Sequence, residues 1–259
     1  MLIRFDSSDI RGPSPNIWYG VVDWVRGSLA SALGQSDFED FAPYTGPRGA
    51  GAEGDQGGTQ VSALGEDPDV TLETDRYGVV KFKEGNASNE CVAFARNIYY
   101  DLQASPVTVI GARVEAIADA NSPIMFIGLS NQADPDDVFA AAVLNQSNNE
   151  EAIGFRWNAD ETIDLVAVDD GTLNVLKDDI GVSVERTDGQ TRFELRIEKQ
   201  TATTYRLTPA INGAVARAGV VNVLATLLPE DPMRPVVAMT VSATTDPEFE
   251  CDWIFSAQR

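Results

Sequence analysis

The chain has no histidine among its 259 residues. That absence removes the commonest general base at neutral pH, the Ser-His-Asp and Cys-His arrangements, and every zinc site that uses imidazole. Cysteine is almost as scarce. Cys91 and Cys251 are the only two, too few for a structural zinc alone and not spaced as Cys-x-x-Cys. Positive charge is also short: 19 Lys and Arg face 40 Asp and Glu, a net charge of -21, and only Lys81, Lys83, Lys177 and Lys199 are lysines. Such a field repels phosphate backbones and anionic headgroups, which excludes nucleic acid and membrane surfaces as expected partners. It suits a protein that stays dispersed at high concentration. No apolar run approaches the roughly 20 residues of a bilayer-spanning helix. The start, MLIRFDSSDIRG, lacks the order of a secretion signal. A soluble protein made in a cytoplasm is the expectation.

What the chain does have is period-two alternation. Phe193, Leu195 and Ile197 alternate with Arg192, Glu194, Arg196 and Glu198, the pattern of a strand with one dry face and one wet face. Tyr205 and Leu207 mark a second strand, and Ile211-Asn212-Gly213 supplies residues that tolerate positive φ where the chain turns back. From Val70 onward the pattern predicts strands at 79–83, 91–95, 107–118, 124–130, 138–144, 152–157, 163–168, 180–185, 191–198, 204–208, 236–243 and 249–257. A change of parity between Val109 and Val114 predicts a bulge at Ile110-Gly111. Val220 to Leu228 is expected as one helical turn. In the last strand Cys251, Trp253 and Phe255 share one parity and are expected on the buried face. Thiols are favoured over a Cys91–Cys251 disulfide, which would need the first and last strands to be neighbours.

Residues 1–69 differ in character. Gly12-Pro13-Ser14-Pro15 breaks the chain, Asn16 is placed to cap a helix, and Trp18, Val22, Val25 and Leu29 recur at helical spacing before Gly34. A short helix with such a stripe must dock, either on its own sandwich or, as a coiled-coil-like seam, on copies of itself or a partner. Residues 46–69 are glycine-rich and read as a flexible linker. The expected organisation is therefore an arm with an amphipathic helix over 1–45, a linker over 46–69 and a β-sandwich over 70–259.

The order of these elements resembles the concanavalin A-like jelly roll of lectins, glucanases, laminin-G-like modules and many bacteriophage virion proteins. The residues that carry the resemblance are Ile153-Gly154-Phe155-Arg156-Trp157 with Ile163 to Val168, then Phe193 to Ile197, Tyr205 through Gly213, and the closing Cys251 to Phe255. Within that group the chain looks most like phage structural proteins of the capsid decoration (cement) or tail and head-fibre type. The resemblance implies an all-β jelly roll with an N-terminal arm containing one short α-helix. It also implies assembly onto a major capsid protein or other virion protein as a homo-oligomer, a dimer or trimer. Trp18, Val22, Val25 and Leu29 are then the assembly residues, and the protein is expected in the virion, assembled in the host cytoplasm.

Chemistry-bearing patterns are sparse. The glucanase branch of this resemblance places its carboxylates as Glu-x-Asp-x-x-Glu, and no such spacing occurs; Asp160, Glu161 and Asp164 come nearest, at a turn where acidic residues are common. The expectation is a protein that is not an enzyme and has no cofactor. Calcium is the candidate cation, with weak ligand sets at Asp160 and Asp164 in one loop and at Asp134 and Asp136 in another. The alternative function is a lectin-like module for host-surface glycans, using Trp157 with Asn158, or Tyr99 and Tyr100, as stacking and hydrogen-bonding groups.

Overall fold

A computed structural model describes residues 35–39, 46, 48, 54–56, 58–64, 69–72, 79–83, 91–116, 123–140, 143–147, 149–181, 189–215, 219–240 and 248–258. The predicted helix and its residues Trp18, Val22, Val25 and Leu29 lie outside this set. In chain order the strands are β1 Gln35–Glu39, β2 Gly54–Gln56, β3 Thr59–Leu64, β4 Asp69–Leu72, β5 Val80–Lys83 and β6 Cys91–Arg96. There follow β7 Val107–Ala116, β8 Ile124–Ser130, β9 Phe139–Ala140, β10 Val143–Leu144, β11 Ala152–Trp157, β12 Ile163–Asp169 and β13 Thr172–Lys177. The last are β14 Thr191–Lys199, β15 Thr204–Ile211, β16 Ala214–Val215, β17 Val221–Leu224, β18 Arg234–Thr240 and β19 Glu248–Gln258. Short 3-10 turns occupy Pro135–Val138 and Ala225–Leu227.

The strands form two antiparallel sheets stacked as a sandwich. The first runs β16-β15-β14-β7-β19-β5-β4, with β1 also on β19 and β17 on β15; the second runs β13-β12-β11-β8-β18-β6-β3-β2. Alternation decides what lies between them. Ile110, Ala112 and Val114 of β7, Phe193, Leu195 and Ile197 of β14, and Phe249, Cys251 and Ile254 of β19 meet Met125, Ile127, Ile153, Phe155, Trp157, Leu165 and Val237 from the second sheet. The β15–β16 hairpin turns at Asn212 (φ 50°) and Gly213 (φ 79°), the two successive positive-φ positions that the sequence reading required.

Several expectations are corrected. Residues 54–64, read as linker, contain β2 and β3, and β3 pairs with β6 through the alternation Thr59, Val61, Ala63. The bulge is not at Ile110-Gly111; it lies across the ladder in β19, where Asp252 is skipped between Cys251 and Trp253. Cys251 and Ile254 therefore face the core, while Trp253 and Phe255 face outward with Arg113 and Gly111. Val220 to Leu228, expected as one helical turn, is split between strand β17 over Val221–Leu224 and a 3-10 turn over Ala225–Leu227. Cys91 and Cys251 remain thiols, one on the outer side of the second sheet and one on the inner side of the first.

The second sheet carries a lid of its own sequence. Residues 131–140 and 143–147, predicted in part as a long strand, run across its outer face as a 3-10 turn and the short β9–β10 pair. Val138, Phe139 and Leu144 pack on Ala93, Ala95, Phe126, Ala152, Val166, Val168, Val236 and Ala238. Burying Phe139 and Leu144 this way contributes on the order of 2–3 kcal/mol each. The sheet beneath is built from small residues. Gly128 and Gly154 are direct partners, and a Cβ on Gly154 would lie 2.6 Å from the Gly128 Cα and against the Ile127 carbonyl oxygen, so no larger residue fits at that crossing.

Candidate functional site

The sequence-derived site residues scatter. Trp157 is fully buried and packs on Phe193 at 5.5 Å between ring centroids, so it cannot touch a glycan. Its parity with Ile153 and Phe155 is the reason. Asn158 donates to Thr162 Oγ1 at 3.0 Å and to Asp164 Oδ2 at 2.8 Å, closing the β11–β12 turn. Asp164 also accepts from Arg156 at 2.6 Å and from the Asp179 amide at 3.0 Å. Burial alone would raise its pKa, but the bonds from Asn158, the Asp179 amide and Arg156 outweigh it and hold the carboxyl below its ordinary value. Asp160 accepts from the Thr162 hydroxyl at 2.6 Å and from its amide at 3.1 Å, which lowers its pKa in turn.

Asp134 and Asp136 sit at the other end of the second sheet. The register Ala152 to Ser130 and Trp157 to Met125 puts a six-residue strand, roughly 20 Å, between the two acidic loops. Asp134 accepts from Gln60 at 2.9 Å, and buried Asp136 fixes its turn by donating its backbone N–H to Ser62 Oγ at 3.1 Å. Among the described residues no three acidic or cysteine side chains are arranged to hold a metal ion. The calcium candidates are thus two protein-bonded turns rather than one site.

The Asp134 end is where polar and aromatic groups converge. Arg234, at the start of β18, is 1% exposed. Its Nη1 donates to Gln60 Oε1 at 2.6 Å and to Asn97 Oδ1 at 2.7 Å, and its Nη2 donates to the carbonyls of Gln132 (3.0 Å) and Ala133 (2.5 Å). One side chain thereby ties β3, the turn after β6 and the root of the lid together. Burial pulls its pKa below the ordinary guanidinium value, with Tyr99, Asp134 and Asp55 acting in the opposite direction. Tyr99 lies over the guanidinium at 6.0 Å and is 48% exposed. Its neighbour Tyr100 is buried and accepts from Ser256, so only Tyr99 of the pair offers a ring to solvent.

Beside this platform lies a shallow depression lined by Ser130, Gln132, Val138, Asn145, Glu150, Glu151, Ala152 and Val168. Burial raises the pKa values of Glu150 and Glu151, with Asp137 adding to Glu150, and Asp231 and Asp169 adding to Glu151. Asp136 and Asp137 are raised by burial and then by their acidic neighbours, and Asp169 likewise by burial, Glu230 and Asp170. A carboxyl raised in the folded state costs stability at neutral pH, and the cost disappears as pH falls through the raised value. Asp160 and Asp164 act oppositely, their contribution being lost as pH falls through their lowered values. Thermal stability is therefore expected to peak at mildly acid pH, roughly 4–5, above the point where most carboxyls protonate. A melting series from pH 7.5 to 3 checks this; a monotonic fall from pH 7.5 contradicts it.

Two sheets of this order, closed by long strands at the chain end, define the concanavalin A-like class of jelly roll. No protein-family profile and no curated protein sequence matches the chain. Solved structures with the same architecture do. A β-1,3-glucanase from Mycobacterium marinum aligns at TM-score 0.53 and 13% identity, over 88% of this chain and 100% of that one. A family 16 glycosyl hydrolase from Mycobacterium smegmatis aligns at TM-score 0.50 and 13% identity, over 85% and 98%. The Emp46p carbohydrate recognition domain aligns at TM-score 0.50 and 11% identity, over 77% and 87%.

At these identities the likeness is one of fold, the lectin and glucanase jelly roll. The expectation that the chain is not an enzyme is corrected: glycoside hydrolases are built on this same sandwich, so a missing Glu-x-Asp-x-x-Glu does not exclude activity. None of these structures indicates a virion protein, a capsid partner or an oligomeric state.

Proposed function

We propose that the protein binds carbohydrate at the Arg234 end of the second sheet. One observation carries this reading. Tyr99 presents an exposed ring, held from beneath by the four-bonded Arg234, beside the amides of Asn97 and Gln60 and the carboxylate of Asp134. A fixed aromatic face flanked by amide and carboxylate groups is the surface on which a pyranose stacks while its hydroxyls find donors and acceptors. The fold, shared with a carbohydrate recognition domain and two glycoside hydrolases, supports the same class of ligand. The net charge of -21 favours neutral or amino sugars over anionic ones.

A glycan array followed by titration of the best ligand tests this. Tyr99→Ala is expected to weaken binding about tenfold, or about 1.4 kcal/mol, without altering the melting temperature. An array with no bound glycan, or an unchanged Tyr99→Ala affinity, overturns the reading. Reducing-sugar release from a β-glucan is measured alongside. Turnover lost in Glu150→Gln would replace binding by hydrolysis, because a raised, partly buried carboxyl is what a general acid requires.

A further inference from the structure

Polar groups continue along the sheet end beyond Tyr99. Val168, Ala152, Ser130 and Arg234 are cross-strand partners on β12, β11, β8 and β18, one rung of the second sheet at the end where Tyr99 sits. At about 4.7–4.9 Å between strands, three intervals make this rung roughly 14 Å long, more than one pyranose covers. Arg234 and Tyr99 occupy one end of it, and the depression lined by Ser130, Gln132, Asn145, Glu150 and Glu151 occupies the other. Gln132 joins the two, because it lines the depression while its carbonyl accepts from Arg234. The depression holds negative charge without a counter-ion. The charges acting on Glu150 and Glu151 are Asp137, Asp231 and Asp169, carboxylates all, and among the described residues no ion pair reaches either glutamate. The two glutamates differ in one respect. Glu151, 7% exposed, is fixed by the Asp231 amide at 2.6 Å, whereas Glu150 keeps Oε2 enclosed with no hydrogen-bond partner.

We infer that the depression is a second subsite of the Tyr99 site and takes an amine-bearing sugar unit, its ammonium paired with the Glu150 carboxylate. This rests on the carbohydrate reading of Tyr99 and narrows it to oligosaccharides of free amino sugars, with one unit stacked on Tyr99 and another seated at Glu150. An enclosed carboxylate oxygen without a donor carries a cost that a bound ammonium removes. The pairing is also selective, since an N-acetylated unit of the same size supplies neither the charge nor the additional protons. Burial and Asp137 hold the Glu150 carboxyl above its ordinary value, and a cation beside it reverses that direction. Glu151 adds field rather than reach, one oxygen being already held by the Asp231 amide. Asn145 fixes the lid side of the depression by donating to the Asp137 carbonyl at 2.9 Å and accepting from the Ser147 amide at 3.0 Å.

The test titrates the full chain at pH 6 with the glucosamine tetramer, its N-acetylated counterpart, glucosamine itself, and spermine, which carries ammonium groups without a sugar. The glucosamine tetramer is expected to bind about tenfold more tightly than the N-acetylated one. Glu150→Gln, which removes a destabilising charge and should fold as the parent does, is expected to abolish that preference and leave the N-acetylated affinity unchanged. Tyr99→Ala should weaken both tetramers alike. Asp160→Asn, at the far end of the sheet, should leave the preference intact, which separates a site from the general field of an acidic protein. Tyr99-dependent binding of both tetramers with equal affinity, or a preference that survives Glu150→Gln, overturns the inference and leaves the carbohydrate reading standing. Glucosamine bound as tightly as its tetramer also overturns it, because the two subsites would then not act on one chain. Spermine bound as tightly as the tetramer, with loss in Glu150→Gln and none in Tyr99→Ala, assigns the depression to polyamines instead. Binding of neither tetramer overturns the carbohydrate reading and this inference with it.

Discussion

Trp157→Ala is expected to lower the stability of the sandwich by about 4 kcal/mol, at the upper range for truncating a large buried side chain. The indole is fully enclosed where β11 crosses β14, and Phe193 tilts against both Trp157 and Phe155 at 5.5 Å. Those rings join the two sheets, and neither sheet can shift to fill the gap without disturbing the fixed ladders β8-β11-β12 and β7-β14-β15. Chemical denaturation should show a reduced midpoint with an unchanged slope, and the folded fraction should bind glycan as the parent does. Full stability together with lost glycan binding would return Trp157 to the site and remove it from the core. Asn158→Ala provides the contrast, since it removes two partly buried bonds of a turn, one of them to the Asp164 carboxylate, rather than a core ring, and should cost about 1–2 kcal/mol.

The inner faces of both sheets were legible in the sequence because the core sees only one side of each strand, and period two records that side faithfully. Phe193, Leu195 and Ile197 were read correctly for this reason, and Asn212-Gly213 because so few residue pairs accept two positive φ angles in a row. The outer faces were not legible. Burial of an outer face leaves no mark on alternation: Glu194 reads in the sequence as a solvated charge, yet it is 0% exposed. On the second sheet the clue was the smallness of Ala93, Ala95 and Ala238, which reads as weak strand propensity but serves to admit Val138, Phe139 and Leu144. The bulge at Asp252 was hidden for a related reason. Trp253 and Phe255 are buried on the outer side, so burial and parity, which normally agree, disagree there.

The candidate site was legible only in part. Tyr99 was visible as an aromatic in a loop, offered alongside Trp157, whose parity with Ile153 and Phe155 already pointed inward. Arg234 left almost no signal. It opens an apolar strand, and its bonded partners Gln60 and Asn97 are 174 and 137 residues away in sequence, a separation that only the sandwich closes.

Arg234 is also the position where stability and binding should fail together. Arg234→Met keeps the stem but strips donors from Gln60, Asn97, Gln132 and Ala133, leaving acceptors in a poorly solvated place, at an expected cost of about 3 kcal/mol or roughly 6–12 °C in melting temperature. The same change removes the cation beneath Tyr99 and frees the root of the lid, so glycan affinity should fall at least as far as in Tyr99→Ala even though Arg234 is too deeply buried to meet the sugar. Arg234→Lys is the decisive companion. An ammonium keeps the charge but cannot span the Gln60 and Asn97 oxygens with one nitrogen while reaching two carbonyls with another, so it should rescue neither property. If Arg234→Lys retains the parent's midpoint and affinity, the fork geometry is irrelevant and the charge alone supports Tyr99. If Arg234→Met unfolds the chain outright, Gln60→Ala, which removes one acceptor and the donor to Asp134, should still lower affinity with a melting shift of only a few degrees.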